Sequence, residues 1–465
     1  MADASWSERR RAGRDLRRAT PRSSHGPWSA PSDRIDPVAL LKERDARRET
    51  ALAPIRVARM ASSPFAYFRG AADMMTLDLA GTPRTGILPQ ICGDAHCLNF
   101  GFYGSPRGVV VFDLNDFDET AVGPWEWDLK RLATSLVLVG RGNGASDEDL
   151  RVTVLTAVRS YRKVLEDFAH KDLLEQWRAA VDDHSPFVHR FGRDDPMFRR
   201  GFATALRHDS AAALPKLTEV VAGRRRFTSR PPLLCRVEES VATAVVDALP
   251  AYWRTTGPAT QSDLSASEVV DVAQKVVGVG SVGTQDFVVL LTQPADERPL
   301  ILQLKQAVPS DVRIALDGPR PAHEGARVAS GQRTMQAVSD PLLGWTTVHG
   351  LPFYVRQLKD LKASMPLPAL VGSGLDDYGS LSASILGRAH ARSADPALIA
   401  GYCGRGTTLD EAIARFALSY AGQIEEDRAA VVAAIRAGTL QAAPGPDPLP
   451  DHAVLGWPDL AVTSR

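Results

Sequence analysis

The sequence predicts an α+β chain of two lobes, and three features of its texture carry that prediction. Residues 36–262 read as mainly helical, residues 268–360 turn β-rich, and two further helices follow. Within the β-rich part, 276–280, 287–291 and 300–304 are short apolar runs separated by turn residues, the pattern of successive strands. At 465 residues the chain also exceeds one ordinary compact core.

The elements follow in order. Asp36-Pro37 opens a helix, because proline fits the first helical turn. Segments 150–168 and 238–249 place apolar residues at helical spacing. One β-like island, Gly108-Val109-Val110-Val111-Phe112, interrupts this half and ends at a cluster of acids. After the three strands come a helix near 332–338, a strand near 353–355, and helices over 378–392 and 409–434. The arginine-rich start and the Pro-rich end lack apolar periodicity, so neither is expected to order itself. The resulting division is a disordered basic tail (1–35), a mainly helical lobe (36–262), a β-rich lobe (263–372), helices completing the first lobe (373–436) and a Pro-rich tail (437–465).

Composition narrows the class of protein. Hydrophobic residues at 44% and charged residues at 24% are ordinary for a soluble globular chain. Lys plus Arg equals Asp plus Glu at 55 each, which gives no reason to expect nucleic acid or an acidic membrane as partner. No apolar run approaches the roughly 20 residues of a membrane span, and Met1-Ala2-Asp3-Ala4-Ser5 is no secretory signal. Four cysteines (Cys92, Cys97, Cys235 and Cys403) are too sparse for a disulfide framework, and no second Cys/His pair completes a zinc knuckle after Cys97. A cytoplasmic protein with free thiols is expected.

The strongest local signal is Gly93-Asp94-Ala95-His96-Cys97-Leu98-Asn99, followed by the 108–112 strand and Asp113-Leu114-Asn115-Asp116-Phe117-Asp118-Glu119. Phosphoryl transfer asks a protein chiefly to position a nucleophile and neutralise charge. One carboxylate must face the acceptor hydroxyl, while a second carboxylate and an amide oxygen hold magnesium, which prefers oxygen ligands. Asp94 is expected to orient or deprotonate the acceptor, Asn99 to bind one magnesium, and Asp113 to bridge magnesium to phosphate, with Asp116 the alternative for that last role. His96 is expected to brace the loop or contact phosphate. The bland alternative is an acidic turn whose side chains cap their own backbone; two acid-bearing segments flanking one strand argue against it.

Gly-Asp-x-His-x-x-Asn resembles the catalytic loop of aminoglycoside and choline phosphotransferases, members of the protein-kinase-like superfamily. Those families commonly have a His before the Gly, where this chain has Cys92. A more extensive resemblance, across nearly all of 50–430, is to a bacterial family known as domain of unknown function 2252. Arg59-Met60-Ala61-Ser62-Ser63-Pro64-Phe65, Phe112-Asp113-Leu114-Asn115-Asp116-Phe117-Asp118-Glu119, Trp125-Glu126-Trp127-Asp128-Leu129-Lys130-Arg131-Leu132 and Tyr354-Val355-Arg356-Gln357-Leu358 carry it. The kinase-like resemblance implies a two-lobed fold, ATP and magnesium as cofactors, and Asp128 hydrogen-bonded to the catalytic-loop backbone.

Between the first two strands lies Gly278-Val279-Gly280-Ser281-Val282-Gly283, where glycines would let backbone amides approach phosphate. Gly278, Gly280, Ser281 and Gly283 are its candidate contacts. Lys305, ending a later strand, is placed like the phosphate-pairing lysine of kinase-like folds, with Glu324 as its candidate partner. Kinase-like chains run from Gly-rich loop to lysine to catalytic loop, whereas this order is reversed. A circular permutation, with the catalytic-loop segment N-terminal to the nucleotide lobe, accounts for it, since moving termini at a surface is physically inexpensive. The expected activity is phosphoryl transfer from ATP-Mg to a hydroxyl on an unidentified small molecule or protein. Nucleotidyl transfer with the same carboxylates, or a catalytically silent nucleotide-binding module, are the alternatives.

Overall fold

The structure, a computed structural model, describes residues 4–50, 52–106, 108–172, 174–175, 196–206, 210–231, 233–276, 282–292, 299–358 and 363–443. It is an α+β fold with several antiparallel sheets. The largest sheet has six strands in the order Gly344–Val348, Leu351–Gln357, Pro299–Gln306, Asp286–Thr292, Glu268–Lys275 and Leu234–Arg236, every neighbour antiparallel. The first of the expected β-rich runs is displaced: the strand is Glu268–Lys275, and 277–281 lie outside the described residues.

Alternation along Pro299–Gln306 sets what each face of the sheet does. Leu302 and Leu304 enter a core with Phe287, Val289, Phe353 and Val355, covered by the helix Glu239–Trp253 through Val245, Leu249 and Tyr252. That helix was expected in the first lobe. Its apolar stripe covers one face of the sheet. On the opposite face, Ile301 joins a smaller cluster, and Gln303 and Lys305 point toward the other lobe.

That other lobe is built on Trp125–Gly142, Asp147–Phe168, Ser373–Ala391 and Thr408–Arg436, which share one continuous core. The β island is a three-stranded sheet, Ala363–Ser364 beside Phe100–Gly104 beside Val110–Leu114. Asp36 caps the helix Pro37–Asp45 by accepting the Ala39 amide at 2.8 Å.

The N-terminal segment is not a disordered tail. Trp6–Asp15 is a helix opened by a reciprocal Ser5/Glu8 capping box, and it packs on Pro396–Cys403. Gly13 and Gly401 permit that contact: a Cβ on Gly401 would lie 2.1 Å from the Arg10 carbonyl oxygen. The arginines that suggested disorder have partners. Arg17 Nε donates to the Tyr402 carbonyl at 2.8 Å and Arg22 to that of Cys403 at 2.9 Å, at the negative end of that helix. Arg34 is held by Asp78 at 2.9 Å and Asp427 at 2.7 Å. Of the C-terminal tail, 444–465 lie outside the described residues. Gly401→Ala should therefore detach the N-terminal helix, lowering stability by about 1–3 kcal/mol and speeding tryptic cleavage between Arg9 and Arg18. Unchanged urea midpoint and cleavage rate would show that the helix contact contributes nothing.

Candidate functional site

The site begins with a loop held in place before any ligand is considered. Gly93 has φ +76°, and a Cβ there would sit 2.5 Å from the Glu119 carbonyl oxygen, so both conformation and space require glycine. Asp128, in the first turn of Trp125–Gly142, accepts the amides of Cys92 at 2.8 Å and Gly93 at 2.9 Å. His390 Nε2 lies 3.2 Å from Asp128, and its Nδ1 meets the Tyr161 hydroxyl at 2.8 Å. An imidazole from a distant helix thus braces the loop through Asp128. Asp94, next along the loop, pairs with buried Arg131 at 2.5 Å, and His96 lies 3.6 Å from it. Burial raises the Asp94 pKa, against the charges of Arg131 and then Arg69.

Asn99 and Asp113 do not occupy the positions expected of magnesium ligands. Asn99 Oδ1 accepts the amides of Asn115 (3.2 Å) and Asp116 (2.6 Å), while its Nδ2 donates to the carbonyls of Asp94 (3.0 Å) and Asp116 (2.9 Å). The whole amide is committed to tying the loop to the acidic segment. Asp113 is buried on its strand, paired with Arg388 and accepting the Ala337 amide at 2.9 Å. Both residues position the acids that follow them.

Those acids reach a cleft of about 360 Å³ lined by Asp94, His96, Asp116, Asp118 and Glu119 together with Gly283 and Thr284. Lys305, from the sheet, pairs with Asp118 and lies 3.9 Å from Asp116. Burial opposes the lysine's charge, and Asp116 and Asp118 more than offset it, so its pKa stands well above the ordinary value. Tyr354, beside Lys305 on the next strand, donates to Asp118 at 2.9 Å. Burial alone would raise the Asp118 pKa; Lys305 and Tyr354 bring it below the usual carboxylate value. Glu324 is not the lysine's partner: it pairs with Arg327 at 2.5 Å, one turn along its own helix.

Arg327 carries a role that no motif signalled. Its guanidinium donates to the carbonyls of Thr120 (2.6 Å), Asp118 (2.9 Å) and Val308 (2.8 Å), clamping the helix Glu324–Met335 to the acidic segment. Arg131, Arg388, Asp118 and Tyr354 were likewise unassigned. Arg131, Asp118 and Tyr354 belong to sequence strings quoted above, but a string does not say which distant residue a side chain meets. Gly278, Gly280 and Ser281 lie outside the described residues.

Among the described residues, no group of three or more His, Cys, Asp and Glu converges as a metal site. Magnesium is commonly held by one or two carboxylates together with substrate phosphates and waters. Asp116, with its side chain 47% exposed, and Asp118, at 26%, suit that arrangement. No helix among the described residues is long and apolar enough to cross a membrane, and all four cysteines are free thiols.

Fold and site together define an α+β protein with a charged cleft. The chain belongs to the family described as uncharacterized protein conserved in bacteria, domain of unknown function 2252, whose model matches residues 48–434. No curated protein and no solved structure matches it.

One acid in the cleft has a distinctive titration. Burial first, then the Asp311 carboxylate, push Glu119 from its ordinary 4.5 to about 8, while its Oε2 accepts the Asp311 amide at 2.8 Å. The folded state binds the proton more tightly, so this contribution to stability is lost as pH rises through about 8. Glu119→Gln should flatten the decline in urea midpoint between about pH 5 and 8. An unaltered slope would assign the decline to other groups.

Proposed function

We propose that this chain is a kinase-like phosphotransferase that moves the γ-phosphoryl group of ATP to a hydroxyl. The observation that carries this reading is the meeting of buried Lys305 with Asp118, 187 positions away, where Asp118 itself lines the cleft that Asp94 also lines. A lysine, two part-exposed carboxylates and a third carboxylate near the acceptor side are the parts phosphoryl transfer uses. The lysine's place on the third of three successive antiparallel strands, Glu268–Lys275, Asp286–Thr292 and Pro299–Gln306, supports it further. So does the helix Glu324–Met335 between that strand and the next. The loop precedes the sheet in the chain, so the reading requires a circularly permuted kinase-like fold. Cytoplasmic residence, where ATP is present, belongs to the same proposal.

The roles follow from the contacts. Asp94 takes the proton of the attacking hydroxyl, and Arg131 keeps its carboxylate oriented. The new bond joins the hydroxyl oxygen to the γ-phosphorus as the bond to the ADP oxygen breaks. Lys305 would supply positive charge to the phosphates, and Asp116 with Asp118 would hold magnesium, which would supply further charge neutralisation there. Asn99, Asp113, Asp128 and Arg327 are positioning residues. One observation favours a silent nucleotide-binding module: the amide of Asn99 is fully engaged in the loop.

Thermal stabilisation separates these readings. ATP-Mg at 100 times its dissociation constant should add about 2.7 kcal/mol, and Lys305→Ala or Asp116→Ala should abolish the gain. Asp94→Asn should keep it while slowing ADP formation at least ~100-fold. No stabilisation of the wild type would overturn the nucleotide reading. Unchanged turnover in Asp94→Asn would favour the silent module.

A further inference from the structure

Magnesium and Lys305 make competing claims on one carboxylate. Asp118 pairs with the lysine, and it is also one of the two acids assigned to the cation. Once a dication takes Asp118, the buried ammonium must keep its charge and its position without that partner. Glu324 does not replace it, being paired with Arg327. Asp116 does not either, since it serves the same cation.

The sheet places another acid beside the lysine. Tyr354, Lys305 and Asp286 stand directly opposite one another on the neighbouring strands Leu351–Gln357, Pro299–Gln306 and Asp286–Thr292, so they share one face. Opposed Cβ atoms lie about 4.5–5.5 Å apart, a span that a lysine side chain covers. Asp286 is buried, and its two oxygens differ. Oδ2 accepts Gln303 Nε2 at 2.7 Å. Gln303 Oε1 accepts Arg356 Nε at 3.1 Å, and Arg356 donates to the Asn115 carbonyl at 3.3 Å. The carboxylate is thereby oriented from the acidic segment itself. Oδ1 is buried and accepts no hydrogen bond among the described residues. Leaving a buried acceptor unmet is unfavourable, and a second state that fills it would account for its presence. Burial pushes the Asp286 pKa up to about 6, against the charges of Lys275 and then Lys305 on the strands either side.

We propose that Asp286 is a positioning residue, the second counter-ion of Lys305: when magnesium takes Asp118, the ammonium turns to Asp286 Oδ1 and is held there against the phosphates. The exchange on nucleotide binding rests on the phosphotransfer reading; the pairing of Lys305 with Asp286 does not. The lysine then has one partner on the acidic segment and one on its own sheet, and its charge stays paired in both states.

Urea unfolding of Asp118→Asn, Asp286→Asn and the double variant tests the pairing without any ligand. Asp286→Asn alone should leave the midpoint unchanged or raise it, because it removes a buried charge that is only half met. In the double variant the ammonium has neither partner, so the loss should exceed the sum of the single losses by about tenfold or more in the unfolding constant. A double variant that fails to fold while both single variants fold is the same result. Strict additivity, or a large loss from Asp286→Asn alone, would overturn the proposal. Thermal shift with ATP then tests the exchange. Asp286→Asn should weaken ATP-Mg binding about tenfold or more, yet leave the response to ATP in EDTA as in the wild type, since Asp118 then still holds the lysine. Equal weakening with and without magnesium, or no weakening with it, would overturn the exchange. A wild type without any ATP-Mg shift, combined with the excess loss in urea, would leave Asp286 as second counter-ion while the phosphotransfer reading fell.

Discussion

The structure depends on one buried cation meeting carboxylates from a distant part of the chain. Lys305 sits on a strand whose alternate residues fill the sheet's own core, so the alternation that buries Leu302 and Leu304 turns the lysine outward from that core. It is 3% exposed, and a buried ammonium is unfavourable unless paired. Asp118 and Asp116 supply that pairing. The sheet lobe is thereby held over the acidic segment of the helical lobe, and a charged cleft lies at the seam.

The rest of the seam reinforces this contact through the backbone of the acidic segment. Gln336 donates to the Leu114 carbonyl at 2.6 Å, Arg356 to that of Asn115 at 3.3 Å, and Ser310 to that of Glu119 at 2.8 Å. Together with the Arg327 clamp, these bonds leave little freedom for the segment to drift. The four acids then divide by position. Asp113 is still on its strand, paired with Gly101, and its side chain is buried against Arg388. After Leu114 the chain leaves the sheet, and Asp116, Asp118 and Glu119 line the cleft. Asp113 orders the turn, and the later acids face the cleft.

Much of the local structure was legible in the sequence, because local rules decide it. The Asp36 cap, the apolar runs at 287–291 and 300–304, and the glycine before Asp94 follow from capping, alternation and backbone sterics. Pairings between distant residues were not legible. The acid-rich string could not say that Asp113 faces Arg388 while Asp118 faces Lys305. The resemblance to phosphotransferase loops drew attention to the position before Gly93, which is Cys92, and nothing local revealed that His390 braces the loop through Asp128. The N-terminal arginines read as a solvated tail because their partners, the carbonyls of Gly401 to Cys403, lie nearly four hundred positions away. Composition reports what a segment could bury by itself; here the surface is provided by the last helices.

The central claim, that Lys305 and Asp118 are coupled across the seam, is most directly tested by a double-mutant cycle. Urea unfolding of Lys305→Met, Asp118→Asn and the double variant should give a coupling energy of at least about 1.5 kcal/mol, because each single change leaves its partner's charge or polar group buried without its counterpart. Strictly additive losses, within about 0.3–0.5 kcal/mol, would mean that the two side chains do not meet and would contradict the account of the site.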